Sequence, residues 1–133
     1  NGFTDTEVAA LQAYEQAGIS NPRKEIDCAE VHDCFTITEI LNYEDLHFCE
    51  RGEGWRFIED GIATLEGDLP VNMDGGLKCF GHPVGATGLR VIYEIYKQLQ
   101  GKCDARQVKN AEVGLAHTLG GLPRNACVIV LSN

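Results

Sequence analysis

The sequence has little of what marks a nucleic-acid-binding or membrane-spanning protein. Its 11 Lys and Arg are scattered among 20 Asp and Glu, the formal net charge is -9, and no basic stripe for a phosphate backbone is visible. No apolar run approaches the roughly 20 residues of a bilayer-spanning helix, and no signal peptide is recognisable. We therefore predict no nucleic acid partner and no membrane span, and we expect a cytoplasmic location.

Serine and closely spaced metal ligands are also scarce. Only Ser20 and Ser132 occur, and neither lies in a Gly-rich elbow, so a Ser-His-Asp triad is not expected. The six Cys include no Cys-x-x-Cys pair. Cys28, His32 and Cys34 form a cluster, but no second ligand pair follows at a zinc-like spacing. We predict neither a structural metal nor a disulfide framework.

The length and composition indicate one domain. A chain of 133 residues, of which 44% are hydrophobic, can bury one substantial core but hardly two. We therefore predict a single domain over residues 1–133. The sequence begins with Asn1, and its one Met is Met73, so we expect it to be part of a longer protein.

The first half of the chain is predicted to form a helix, a strand and a second helix. Thr4 and Glu7 have the spacing of a capping box, and Gly18 is a typical helix end. Residues 26–31 are short and apolar enough for a buried strand. Thr36 and Glu39 form a second candidate capping box. The apolar faces of the two helices would contain Val8, Leu11 and Tyr14 in the first, and Ile37, Ile40, Leu41 and Leu46 in the second.

The second half is predicted to add a surface excursion, a long helix and a hairpin. Residues 50–76 form the excursion, which carries a short helix around Trp55. A clear helix follows over residues 86–100, ending at Gly101. Its apolar face would contain Leu89, Ile92, Tyr96 and Leu99. Residues 113–118 and 126–131 predict strands that pair in antiparallel fashion, because a short Gly-bearing segment connects them. The order of elements predicts an α/β layered fold, with a mixed sheet packed against helices.

The best candidate for chemistry is His82, in the segment Gly-His-Pro-Val-Gly-Ala-Thr-Gly at residues 81–88. Gly permits close backbone approach and Pro83 fixes one torsion, so this His lies in a rigid loop ahead of a helix. Such a His can act as a general base or donate to a developing oxyanion. Alternatively, the glycines serve packing or cradle a phosphate. A P-loop is excluded, because Leu89 follows Gly88 where Lys is required.

Two further segments contain candidate site residues. His32 and Cys34 follow the predicted strand 26–31, where α/β folds commonly place functional groups. Cys34 could be a reactive thiol, although its position alone favours a buried apolar residue. His117 precedes the pair Gly120 and Gly121 by a few residues. The amides of that pair could bind an anion, or the pair could simply form a hairpin turn.

Taken together, these segments resemble the C-terminal half of a thiolase, from about residue 4 to the end. Residues 81–88 are similar to the family's Gly-His-Pro loop. Residues 32–35 resemble the His-Asp-Cys-Phe motif of the sterol-carrier-protein-2 type of thiolase, where other thiolases carry Asn-Glu-Ala-Phe. Residues 116–121 are similar to the loop that reads Cys-x-Gly in common thiolases. The first two motifs, about 50 residues apart, form the specific part of the resemblance.

The resemblance implies a mechanism in which a nucleophilic Cys takes an acyl group from an acyl-CoA. His82 would activate that nucleophile and polarise the thioester carbonyl. His32 would take the place of the family's Asn in the same oxyanion hole, through a water. Thr118 stands where common thiolases have an acid/base Cys. Because Thr does not titrate near neutral pH, Cys34 would transfer the proton instead.

The resemblance also implies substrate contacts and partners. The Gly120 amide would form a second oxyanion hole, and His117 and Gly121 would contact the substrate. The family's nucleophilic Cys belongs to the N-terminal half, so such a half is implied as a partner, in the same chain or as a separate subunit. Acyl-CoA would be the substrate, with no bound cofactor or metal, and the assembly would be a homodimer or a larger oligomer.

Three functions stay open at this point. The chain could belong to a sterol-carrier-type thiolase that condenses acetyl-CoA or cleaves 3-ketoacyl-CoA. It could instead belong to a thiolase-like retro-aldolase acting on CoA-linked side chains, or to a non-catalytic thiolase-like subunit. In each case these residues alone are predicted not to catalyse acyl transfer.

Overall fold

The structure is a computed structural model that describes residues 4–121 and 125–133. The helices are α1 (Asp5–Ala17), α2 (Pro22–Glu25), α3 (Thr36–Asp45), α4 (Gly54–Glu59), α5 (Gly76–Phe80) and α6 (Thr87–Leu99), with a 3₁₀ turn at Asp104–Arg106. The strands are β1 (Cys28–Glu30), β2 (Val113–Leu119) and β3 (Ala126–Ser132). No helix in the described ranges is long and apolar enough to cross a membrane.

The three strands form one mixed sheet in the order β1-β2-β3. β1 is parallel to β2, whereas β2 and β3 pair in antiparallel fashion as a hairpin. On the other side of β1, an isolated parallel bridge joins Ala29 to Val71. The mixed sheet and the hairpin confirm the prediction. The first strand is shorter than the predicted 26–31, and the bridge at Val71 was not predicted.

Neighbouring residues of each strand pack on opposite faces of the sheet, which gives the fold three layers. In β2, Leu115 belongs to the core cluster that contains Ala10 and Tyr14 of α1. Ala116 belongs to a second cluster, which contains Val91 and Ile95 of α6. β1 and β3 alternate between the two clusters in the same way. The sheet therefore lies between α1 on one face and α6 on the other, as the predicted layered α/β class requires.

The predicted apolar helix faces are partly wrong. In α1, Val8 and Leu11 are 42% and 40% exposed, and in α6, Leu89 and Tyr96 are 71% and 48% exposed. Ile37 and Leu41 of α3 are exposed as well. The helices bury Thr6, Glu7, Ala10 and Tyr14 in α1, and Thr87, Val91, Glu94, Ile95 and Gln98 in α6. About half of these residues are polar, namely Thr6, Glu7, Thr87, Glu94 and Gln98.

Of the two predicted capping boxes, one is half formed and the other is absent. The Thr4 hydroxyl accepts a hydrogen bond from the Glu7 amide at 3.1 Å, but the Glu7 carboxylate bonds to side chains elsewhere instead of turning back. Helix α3 begins after Phe35, which makes no side-chain cap. Glu39 is used differently, because its Oε1 accepts from Tyr43, at 2.9 Å, and from a loop asparagine.

Candidate active site

His32 lies in the junction between β1 and α3, where its backbone is fixed on both sides of the residue. Its carbonyl accepts from Asn42 Nδ2 at 2.7 Å, and its amide donates to the ring Nδ1 of His117 at 3.4 Å. The preceding amide, that of Val31, donates to Asn72 Oδ1 at 2.8 Å. These partners lie in α3, in β2 and directly after the bridge residue Val71. The position of His32 therefore depends on several separate elements of the fold.

His82 lies in the predicted loop before α6 and is oriented by the first residue of that helix. Its Nδ1 is 2.7 Å from the hydroxyl oxygen of Thr87, and the same hydroxyl donates to the Pro83 carbonyl at 3.3 Å. A hydroxyl has one proton to donate, so it acts as the acceptor towards His82. We infer from this that the ring proton is on Nδ1 and that the Nε2 lone pair is the basic site of the imidazole.

The two histidines meet edge to face. Their ring centroids are 4.9 Å apart with an interplanar angle of 81°. His32 is only 3% exposed, whereas His82 is exposed. The pKa of His32 is lowered by burial and further by His82, and Asp33 offsets only part of this. Near neutral pH, His32 is therefore an uncharged imidazole beside a more accessible one.

A cavity of about 510 Å³ is lined by His82. Its described walls are formed by His82, Val84, Gly85, Thr87, Gly88, Thr118, Leu119, Gly120, Gly121, Asn125, Ala126 and Cys127. Thr118 connects His32 to the cavity, because its hydroxyl oxygen is 3.4 Å from Nδ1 of His32. The Gly-His-Pro loop and the end of the hairpin thus converge on one space, as their resemblance to thiolase loops implied.

Cys34 does not belong to the described walls of this cavity. It is half-buried, and its Sγ lies 3.7 Å from the hydroxyl of Thr38 in the first turn of α3. The structure brings His32 and His82 together but places Cys34 beside the first turn of α3. Proton transfer by Cys34 stays a prediction.

The contacts of Gly120 and His117 differ from those expected. The Gly120 amide donates to the Asn125 carbonyl at 2.6 Å, so it closes the hairpin and is not a free oxyanion donor. His117 is completely buried, and its Nε2 is 3.2 Å from the Thr6 hydroxyl while its Nδ1 faces the His32 amide. Burial and the nearby His32 lower its pKa to about 3. From this buried position His117 supports the backbone of His32, and its contact with substrate stays a prediction. Gly121 lies in the wall of the cavity.

Asp33 is a site residue whose role the sequence did not indicate. Its buried carboxylate accepts from the Leu77 amide at 2.8 Å, which fixes the start of α5. Gly76, with a φ of 63°, packs so closely that a Cβ there would overlap this carboxylate. Among the described residues, no group of three or more His, Cys, Asp or Glu could hold a metal ion.

Comparison with known proteins shows the family of this chain. A family model described as "Thiolase C-terminal domain-like" matches residues 2–133. The chain belongs to the thiolase family. It is 48% identical over 124 residues to an acetyl-CoA acetyltransferase of Methanothermobacter thermautotrophicus, covering 93% of this chain and 32% of that protein. It is 42% identical over 119 residues to human sterol carrier protein 2, covering 90% of this chain and 21% of that protein. These relatives support the sterol-carrier-type branch.

Two other relatives extend the range of functions in the thiolase family. A benzoylsuccinyl-CoA thiolase subunit of Thauera aromatica is 41% identical over 87% of this chain and 30% of its own length. A solved structure of the Ltp2-ChsH2(DUF35) aldolase superimposes with a TM-score of 0.79 and 28% identity, over 96% of this chain and 31% of that one. The chain thus spans about a third or less of the length of these relatives.

Proposed function

We propose that this thiolase domain supplies the histidine pair of an acyl-CoA acyltransferase whose nucleophilic Cys comes from an N-terminal half. The observation that carries the proposal is the contact between His32 and His82 beside the cavity that His82 lines. A buried neutral imidazole and an accessible one with a defined basic nitrogen are suited to different tasks in one reaction.

His82 acts as the base in this scheme. Its Nε2 takes the proton of the nucleophilic Cys thiol, and the thiolate attacks the thioester carbonyl of the acyl-CoA. The bond from the acyl carbon to the CoA sulfur then breaks, which leaves an acyl-cysteine, and the imidazolium returns its proton to the CoA thiolate. In thiolysis this step runs in reverse, with CoA as the attacking thiol. The resulting imidazolium keeps its Nδ1 proton directed at the Thr87 hydroxyl, 2.7 Å away. The hydroxyl therefore holds the ring in one orientation before and after proton transfer.

His32 acts on the oxygen of the thioester. Burial and the neighbouring His82 lower the pKa of His32, and a proton on His82 would disfavour a second charge further. His32 therefore stays neutral when His82 is protonated. A neutral His can donate one hydrogen bond to the developing oxyanion, directly or through a water.

The cavity is suited to the reactive end of acyl-CoA rather than to its nucleotide. The described walls contain no Lys or Arg that could pair with phosphates. We therefore place the thioester and the acyl group here and the phosphates at residues outside these walls. No bound cofactor or metal enters the scheme, and the cytoplasmic location stays a prediction.

The test is thiolysis of a 3-ketoacyl-CoA by the complete thiolase, formed by this chain with an N-terminal half that carries the nucleophilic Cys. His82→Asn should reduce kcat by about 10²- to 10⁴-fold, the usual contribution of a general base. His47→Asn, at a histidine that bonds to Glu7 instead, is the control and should retain activity. The chain alone should consume no CoA. If the isolated chain turns over and His82→Ala abolishes that turnover, the shared-site proposal is wrong.

The aldolase neighbour supports a second candidate, cleavage of a carbon–carbon bond in a CoA-linked side chain. The two reactions are distinguished by mass spectrometry of the complete protein after mixing with substrate. A thiolase accumulates an acyl-cysteine and consumes free CoA, whereas an aldolase releases a carbonyl product with its CoA thioester intact. If the complete protein binds acyl-CoA but does neither, the non-catalytic subunit is favoured.

A further inference from the structure

The guanidinium of Arg90 lies between two buried carboxylates beside the active site. The Arg90 side chain is 18% exposed, and those of Glu30 and Asp74 are each 2% exposed. One guanidinium nitrogen lies 3.5 Å from Glu30 Oε2, and another contacts Asp74. The ring of Phe80 covers the guanidinium, with its centroid 5.0 Å from the Arg90 Cζ.

These residues come from the segments that carry the site. Glu30 ends β1, two residues before His32, and Arg90 is in the first turn of α6, three residues after Thr87. Asp74 lies before α5, and its Oδ1 accepts from the Gly76 amide at 2.8 Å. Arg90 thus connects three parts of the site: the strand that leads to His32, the helix turn that orients His82, and the segment before α5 that packs on Asp33.

We propose that Arg90 is a positioning residue that holds the loop of His82 in contact with His32. It acts through the two carboxylates and does not touch the reacting atoms. The structural part of this inference stands by itself, and only its kinetic consequence rests on the proposed function.

Arginine fits this position because of its shape as well as its charge. Its planar fork can bond two carboxylates that approach from different directions, while an ammonium is a point charge. Buried carboxylates need such a partner, because an unpaired charge in the interior is strongly destabilising. Burial raises the pKa of Glu30 to about 8 although Arg90 lowers it, so Glu30 is largely protonated at neutral pH and Asp74 is the carboxylate that needs the cation. Without Arg90, the buried Asp74 carboxylate would lose this cation, and the segment before α5 would gain by moving out of the interior.

The first experiment separates positioning from stability by comparing Arg90, in the first turn of α6, with Arg106, in the 3₁₀ turn after that helix. Arg90→Gln is set against Arg106→Gln, because Arg106 also pairs with a buried carboxylate, that of Glu94, at 2.9 and 3.0 Å. In the complete thiolase, Arg90→Gln should lower kcat by about 10- to 100-fold, the effect of misplacing a catalytic group by about 1 Å, with little change in KM. Arg106→Gln should lower the melting temperature but leave kcat close to that of the parent. Arg90→Lys should recover part of the loss.

The second experiment needs no turnover and follows the histidine rings by NMR in the same protein, labelled at its histidines. Arg90→Gln should move the pKa of His32 back up towards its ordinary value, because the ring loses burial and contact with His82. Arg106→Gln should leave the pKa of His32 unchanged. If Arg90→Gln does not fold, the double variant with Asp74→Asn removes the unpaired charge and is measured instead.

The outcomes distinguish this inference from the proposed function. Equal loss of kcat in both Arg→Gln variants, with the pKa of His32 unchanged, overturns the positioning role. A protein without thiolysis in which Arg90→Gln still shifts His32 contradicts the proposed function and supports the link between the segments.

Discussion

The hydroxyl of Thr87 gives the sharpest test of how His82 is prepared for its role. Thr87→Val keeps the shape of this buried side chain but removes the oxygen that lies 2.7 Å from Nδ1 of His82. The ring is then free to rotate and to hold its proton on Nε2, the nitrogen that must be basic. The variant should therefore lower kcat without disturbing the core.

The size of the effect follows from the value of one hydrogen bond. A neutral hydrogen bond contributes about 0.5–1.5 kcal/mol net, which corresponds to about 2- to 13-fold in rate. Because His82 is exposed, water can replace part of the lost bond, so we expect a decrease within this range. This is well below the roughly 10²- to 10⁴-fold expected when the base itself is removed.

The assay is steady-state thiolysis by the complete thiolase over a range of pH. Thr87→Ser restores the hydroxyl and should recover most of the activity. Thr64→Val is a further control, because it removes a hydroxyl that donates to a backbone carbonyl, at 2.7 Å, away from the cavity. If Thr87→Val has the parent kcat, or if it is as inactive as His82→Asn, the assignment of the basic nitrogen is wrong.

Two stability predictions follow from the described contacts. Gly76→Ala should lower the free energy of unfolding by about 1–3 kcal/mol, because a φ of 63° and the neighbouring carboxylate both oppose a Cβ; Gly18→Ala, with a φ of 71° and open space, should cost less in the same urea titration. Burial alone would raise the pKa of Glu7, but hydrogen bonds from His47 and Arg51 lower it overall. Its stabilising contribution is thus present above the ordinary value of 4.5 and lost as the pH falls through the lower folded value. Arg51→Gln should flatten that acid-side loss in unfolding curves measured from pH 6 to 3, and an unchanged slope would contradict this account.

The elements predicted best are those that local pattern decides. The apolar runs at residues 113–118 and 126–131, with a short Gly-bearing segment between them, identified the hairpin, because such a connection favours antiparallel pairing. Gly18 and Gly101 ended α1 and α6 near the predicted positions, since their φ values of 71° and 66° disfavour other residues. Short elements such as α2 and α5 have no such periodicity, and they were missed.

Helix faces were harder to predict because apolar spacing does not say which side the sheet will cover. In α6, Val91 and Ile95 pack on the sheet, while Leu89 and Tyr96 face outward. The buried face was hidden by its polar members, whose partners lie elsewhere: Glu94, for example, pairs with Arg106 beyond the end of the helix. A polar residue on a helix therefore indicates a solvent-exposed face only when it has no partner within the fold.

The candidate site also contains features that the sequence predicted and features that it did not. Motifs in the sequence identified His32 and His82, and the fold brings their rings together. The sequence did not indicate that the Gly120 amide is used inside the hairpin, because such a bond depends on how the strands end. Nor did it indicate the support that His117 gives to the backbone of His32, which joins residues 85 positions apart.

The charged residues around Arg90 show why this limit matters for function. In the sequence, Glu30, Asp74 and Arg90 look like ordinary surface charges, because such residues are almost never fully buried unless they are paired. No helical or strand spacing relates them, and only the packing of β1, α6 and the segment before α5 brings them together. Yet the same contacts set the separation of the two histidines. A motif can therefore identify the groups that perform the chemistry, while the geometry that makes them work depends on long-range pairs that a linear pattern does not contain.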